Sequence, residues 1–346
     1  MAPRHHASAL VCALLAAAAS LAGCGKPAQT AATAPGAAAQ GGRGLLKVSL
    51  KLDWYPTAEH GGFFQALVKG YYRDAGLDVT ILPGGPGAFP LPFVATRRAD
   101  FGIGRFDDVI LAVKQGLPLL VVCAQMQHDP QAIMMHEDGP VKTFKDLDGR
   151  SVMSNPGSNW VAYVQMRYGV KFNLIPMDYG LGRFMADRDF IQQCYISSEP
   201  FFAEQHGVKT RVLLIASGGY DPYRAVLTNR AFAQGHPDAV RAFVAATVRG
   251  YQEYLDGPCA EARARIQSEN PSQFPQLMDY TVASLRRYRL VEGDPGKGER
   301  MGLLTPERAR AMVQTLVDLR VLDAPMPLED FISFDFLPAA GAGAAR

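Results

Sequence analysis

Several chemistries leave no trace in this chain. It has no HExxH motif, and its seven histidines are scattered with no Cys/His cluster at ligand spacing, so a structural metal is not expected. There is no GxSxG elbow, no SxxK pair and no cysteine paired locally with a histidine. That removes sequence support for nucleophilic catalysis, although triads assembled only in space stay open. No Walker or dinucleotide fingerprint occurs, so no cofactor is called for. The formal net charge is only +2, without a basic run or an interleaved aromatic ribbon, which argues against a nucleic-acid partner. No internal repeat is visible, and the sequence holds only two tryptophans.

What is present begins with an address. Arg4, His5 and His6 precede ALVCALLAAAASLA, an apolar stretch too short to span a bilayer but proportioned like a secretory signal peptide. It ends in Leu21-Ala22-Gly23-Cys24, which resembles the lipobox of bacterial lipoproteins. On that reading residues 1–23 are a leader, and Cys24 carries lipid after cleavage. The alternative is an ordinary leader with a chance cysteine. Residues 24–45 are rich in Ala, Gly, Pro, Gln and Thr. They bury too little apolar surface to offset ordering, and read as a flexible tether with a reach of about 25 Å. Cys123 and Cys194 lie in apolar runs and read as buried free thiols. With Cys259 they leave an odd number, so one disulfide at most is possible.

The remainder is 48% hydrophobic and 20% charged over the whole chain, enough for two domains with a sizeable core. Strand-like runs (KVSLKL, LDVTIL, ADFGIG, LPLLVVCA, AIMMHE, RSVMSN, FIQQCYI, RVLLIAS, RAVLTN) alternate with helical patterns such as FFQALVKGYYRDAG, FDDVILAVKQG, WVAYVQMRYGV and EPFFAEQHG. This predicts α/β layering around mostly parallel sheets. Beyond about residue 230 the pattern is nearly all helical, and Thr305-Pro306 reads as an N-cap with proline at the first helical position. Two lobes with a cleft between them, the C-terminal helices bracing the first, fit this order.

Candidate site residues gather at strand-to-helix junctions, where open α/β sheets present binding loops. LDWYPTAEHGG offers Asp53, Trp54, Tyr55 and His60. His60 could serve as a base, or cap and hydrogen-bond the backbone. PGGPGAFP is either a plain loop or a close backbone approach to a ligand. In GIGRFDD, Phe106, Asp107 and Asp108 open a helix, and the acids suit its dipole. In SNPGSNW, Ser158 or Asn159 caps a helix whose free N–H groups can bind a polar group, and Trp160 fits core or pocket. Glu199 of YISSEPFFAEQHG caps a helix or accepts from an aminopyrimidine-like edge.

In combination these segments resemble the NMT1/THI5-like family of periplasmic solute-binding proteins over roughly residues 46–255. LDWYPTAEHGGFFQALVKGYYRDAGLDVTI, ADFGIG…VILAVKQGLPLLVVCA, FKDLDGRSV and EPFFAEQHG follow the family's order. The resemblance implies a type II periplasmic-binding fold. Its first lobe would comprise 46–135 plus 225–336, its second 136–224, with 337–346 a frayed tail. It implies a monomeric, membrane-anchored lipoprotein facing the periplasm, serving an ABC permease and ATPase and binding a thiamine-precursor pyrimidine. Relatives bind sulfonates, nitrate or flavin. Asp53, Trp54, Tyr55, His60 and Glu199 fall on motif positions, and Tyr220 and Tyr223 on the inter-lobe return. Thr57 replaces the usual asparagine. Gly104 and Asp108 stand where the fungal pyrimidine synthases have lysine and histidine, and GGYDPY where they have cysteines, so the resemblance favours binding over synthesis. An enzyme using His60 or Asp108, and a sensor without transport, are the alternatives.

Overall fold

The computed structural model describes residues 44–337. Cys24, the leader, nearly all of the tether and most of the tail lie outside the described residues. Ten strands form two five-stranded sheets. The first holds, in spatial order, β2 (Leu77–Leu82), β1 (Leu46–Lys51), β3 (Phe101–Arg105), β10 (Arg224–Asn229) and β4 (Leu119–Met126). The second runs β7 (Asn173–Pro176), β6 (Ser151–Ser154), β8 (Ile191–Tyr195), β5 (Gln131–His136) and β9 (Thr210–Leu214).

The two sheets repeat one plan. β1 is parallel to β2 and β3, as β6 is to β7 and β8. In each sheet one antiparallel strand is inserted: β10 between β3 and β4, and β5 between β8 and β9. The inserted strand always arrives directly from the other lobe, through residues 127–130 or 215–223. The division between sheets therefore falls in those crossovers. β5, which a boundary after residue 135 would split, lies wholly in the second sheet.

Helices cover both faces of each sheet, which explains the unbroken apolar runs. Alternate residues serve opposite faces: in β5, Ala132 and Met134 join one core cluster while Ile133 and Met135 join the other, as a period of two requires. All nine strand-like runs form strands. The tenth strand, β7, is a mostly exposed edge strand ending in proline, with too little apolar signal to read. The expected single helix over FFQALVKGYYRDAG is broken. Gly70 takes φ 75° and separates Gly61–Val68 from Tyr71–Asp74, a conformation that costs glycine little. Cys123 and Cys194 are buried free thiols.

The C-terminal helices do more than brace the first lobe. The Pro237–Asp256 helix packs Phe243 on Phe101 of β3, with ring centroids 3.9 Å apart. The Pro275–Arg287 helix instead reaches the second lobe, where Tyr280 Oη donates to the Ile196 carbonyl at 3.2 Å and Thr281 Oγ1 to that of Ser197 at 2.9 Å. An ionic network joins both crossovers to the C-terminal segment. His128 bridges Asp221 at 2.6 Å and Glu299 at 3.0 Å, and Arg308 meets the same two carboxylates.

Candidate functional site between the lobes

The site starts from the way β1 ends. After Leu52, whose N–H still donates to the Leu82 carbonyl at 2.9 Å, the chain bends through Asp53–Pro56 and caps a short 3₁₀ turn, Ala58–His60. Thr57 and His60 form a capping box: the Thr57 N–H donates to His60 Nδ1 at 3.2 Å. That leaves Nδ1 unprotonated, so Nε2 carries the hydrogen and donates it to Asp53 Oδ1 at 3.1 Å. Burial drives the His60 pKa down to about 3, in keeping with a neutral ring. Both nitrogens are thus committed, and His60 holds the turn and orients Asp53. The other Asp53 oxygen pairs with Arg224, the buried first residue of β10.

The turn is held from outside as well. Asn270 Nδ2 donates to the Pro56 carbonyl at 2.8 Å, and Gln273 Oε1 accepts from the Ala58 N–H at 3.1 Å. PGGPGAFP turns out to approach this same backbone. Gly84 N–H donates to the Trp54 carbonyl at 2.8 Å, and a Cβ on Gly84 would sit 2.4 Å from the Leu52 oxygen. Only glycine fits there. The result is a rigid platform presenting Trp54, half-buried, and Tyr55, exposed, with their rings edge to face at 5.6 Å. Across the cleft, Tyr179 of the second lobe stands 5.3 Å from the Trp54 ring at a 34° tilt.

Beside this aromatic wall the lobe junction is rich in acceptors. Glu59 reaches across to the hydroxyl of Ser197. Burial raises its pKa to about 7, the Ser197 bond opposes this, and Glu199 and Asp129 add to it. Asp129, in the first crossover, is 2% exposed. One of its oxygens accepts from Gln131 N–H at 2.8 Å, while the other has no protein partner. Burial raises its pKa to about 7 as well, against the attraction of Arg105. Glu199 opens the Glu199–Gln205 helix, accepts from Tyr195 N–H at 2.8 Å, and is raised chiefly by burial. The arginines nearby are already engaged. Arg105 donates to both oxygens of Asp108 at 3.0 Å and to Gln131 at 3.2 Å. Arg224 belongs to Asp53, and its guanidinium lies 5.8 Å from the Tyr195 ring centroid.

The other expected site residues separate. Asn159 donates from Nδ2 to Asp107 at 2.9 Å, and Tyr220 Oη donates to the same oxygen at 2.6 Å. This latch ties first lobe, second lobe and return crossover together. Tyr223 lies in that crossover under Arg308, 4.1 Å from its ring centroid. Phe106 is buried edge-on against Tyr223 and Phe331. Trp160, fully buried, stacks on Phe172 at 6.2 Å in the second-lobe core. Junction position marked Phe106 and Asn159 correctly as helix openers, but successive helical side chains point about 100° apart, so Asn159 reaches the junction while Trp160 turns to the core. Glu59, Asp129, Arg224 and Tyr179 were missed. The one local signal was a charged residue opening the apolar run RAVLTN.

Paired sheets with reciprocal antiparallel insertions define the type II periplasmic-binding fold. The alkanesulfonate-binding protein SsuA from Xanthomonas axonopodis pv. citri, solved with MOPS bound, superposes with a TM-score of 0.63 at 13% identity, covering 85% of this chain and 100% of that one. The sequence family is NMT1/THI5 like, whose model matches residues 57–261; the chain belongs to it. The formylaminopyrimidine-binding protein of Halalkalibacterium halodurans is 23% identical over 252 residues, 70% of this chain and 76% of that one. The riboflavin-binding protein RibY of Chloroflexus aurantiacus is 26% identical over 286 residues, 78% and 76% of the respective chains.

Proposed function

We propose that this protein captures a flat nitrogen heterocycle carrying N–H donors, a thiamine-precursor pyrimidine first among them, and delivers it to an ABC permease and its ATPase. It would do so as an exported monomer, anchored to the membrane by lipid on Cys24 and facing the periplasm. The observation that carries the ligand class is the composition of the lobe junction. Buried carboxyl groups of Glu59, Asp129 and Glu199 cluster at the lobe junction, and Arg105 and Arg224 are already paired. Once ionised, such a site welcomes donors and repels a sulfonate or nitrate. The names of the two relatives above, for a formylaminopyrimidine and for riboflavin, agree with that chemistry.

Calorimetry with 4-amino-5-hydroxymethyl-2-methylpyrimidine, riboflavin and an alkanesulfonate separates the candidates. Tight sulfonate binding with no ring binding would sink the proposal. Trp54→Ala is expected to cost about 1.5–3 kcal/mol of ring binding, the usual range for a large buried apolar side chain. Unchanged affinity would remove Trp54 from the site.

A pH dependence follows from the same groups. Glu59 and Asp129 hold protons up to about pH 7, and once ionised they accept from a ligand N–H more strongly, in a charge-assisted bond. Affinity for a ring that does not itself titrate should therefore rise as the pH climbs through about 7 and level off above it, with about tenfold per unit as the upper limit for each proton released. For folding of the protein alone the sign is opposite. The raised pKa values add stability below the ordinary carboxyl values, and that gain is lost as the pH climbs through about 7. A flat binding profile would exclude these carboxylates from recognition.

An enzyme on this scaffold has less to work with. Both nitrogens of His60 are occupied, and Asp108 is bound to Arg105. A Cβ on Gly104 would lie 2.8 Å from Leu91 Cδ1, so a lysine there would require the leucine to shift. Recovery of a bound pyrimidine chemically intact after incubation agrees with binding, whereas turnover would argue for catalysis.

A further inference from the structure

We infer that Tyr179 is a movable aromatic gate over Trp54, the second-lobe wall that a planar ligand must displace and that then covers it. This rests on the reading of the cleft as a site for flat rings. Tyr179 and Trp54 come from opposite lobes, yet their centroids are 5.3 Å apart, within the range of direct aromatic contact. A ring sandwiched between two others needs about 7 Å between the outer planes, at about 3.5 Å per contact. The two side chains therefore claim the same face of Trp54 that a ligand would use. Entry requires Tyr179 to withdraw by only about 2 Å, after which the same ring can close on the ligand's far side.

The segment carrying Tyr179 is built for that movement. The residue sits between β7 and the short Gly182–Ala186 helix, and its backbone takes φ 61°, a left-handed conformation in which a tyrosine is strained. Its side chain is 55% exposed, so little packing holds it. The ring is steered by one tether, the hydroxyl donating to Asn155 Oδ1 at 3.0 Å. Asn155 follows β6 directly, so the gate is hung from the second lobe while its ring rests on the first. Selectivity follows: the covering wall rewards a planar ring with a second stacking contact and gives an aliphatic ligand nothing comparable.

Two readouts test this, one of them independent of any ligand. Trp160 is fully buried, so acrylamide quenching of tryptophan emission reports Trp54. Tyr179→Ala should raise the quenching constant about twofold by uncovering the indole, and Tyr179→Phe should leave it near wild type. The second readout is titration with 4-amino-5-hydroxymethyl-2-methylpyrimidine and with riboflavin. Tyr179→Ala should weaken whichever ring binds by about tenfold, mainly through faster dissociation, while Tyr179→Phe stays within about threefold. Wild-type quenching in Tyr179→Ala, or a full-affinity ring complex in that variant, overturns the gate. If neither ring binds the wild type, the ligand reading fails on its own, and the quenching result still decides whether Tyr179 covers Trp54.

Discussion

Arg224→Met is expected to destabilise the protein by about 3–5 kcal/mol, the cost of leaving one member of a buried ion pair alone. Arg224 opens β10, with Arg105 of β3 opposite on one side and Met126 of β4 on the other. It is 6% exposed. Burial lowers its pKa to about 10, which still leaves it cationic at neutral pH. Its partner Asp53 would retain only the neutral N–H of His60. Because Asp53 is 20% exposed, water can reach part of the orphaned charge, and the loss should fall toward the lower end of that range. Urea unfolding gives the value. Asp53→Asn in the Arg224→Met background should recover part of it, since the double variant buries no lone charge. A loss below about 1 kcal/mol would reduce the pair to the standing of a surface salt bridge. The consequence would reach the proposed site, because Asp53 adjoins Trp54 in the same turn.

That pair also marks the limit of what the sequence discloses. The strands were legible because a sheet buried on both faces leaves apolar runs such as LLVVCA, whatever the topology. Asp53, Trp54 and Tyr55 stood out because an acid and two rings follow directly on an apolar strand. Arg224 stands 171 positions from Asp53 in a strand that returns from the other lobe, and only the antiparallel insertion of β10 sets them together. Glu59 meets Ser197 and Asp107 meets Asn159 for the same reason: the lobes touch through residues that the crossovers align. Tyr179 had no periodic neighbours to mark it. His60 shows the reverse case, since capping the turn was one of the two readings its position offered. Local pattern thus yields elements and caps, while charge pairing across a cleft belongs to topology.

Phe243→Ala is expected to cost about 3–5 kcal/mol of stability, the usual loss for a buried phenylalanine truncated in a packed core. Its ring stacks on Phe101 at 3.9 Å and 7°, while Tyr72 stacks on it at 5.1 Å and Phe232 meets Phe101 edge-on. Phe101 and Phe243 are both 0% exposed. The cavity cannot close easily, because Phe101 is fixed in β3 and Phe243 in a helix of 20 residues that also carries Tyr251 and Tyr254 into the core. The stack adds its own share, about 0.5–1.5 kcal/mol beyond area burial. None of these rings touches the cleft wall at Trp54, so the variant should bind with wild-type affinity wherever it remains folded. Denaturant unfolding followed alongside ligand titration separates the two effects. A loss under about 1.5 kcal/mol would mean that the helix docks loosely on the first sheet. A large loss with unchanged binding would place the helix as part of the first lobe's core, required for the platform to exist and silent in what the platform recognises.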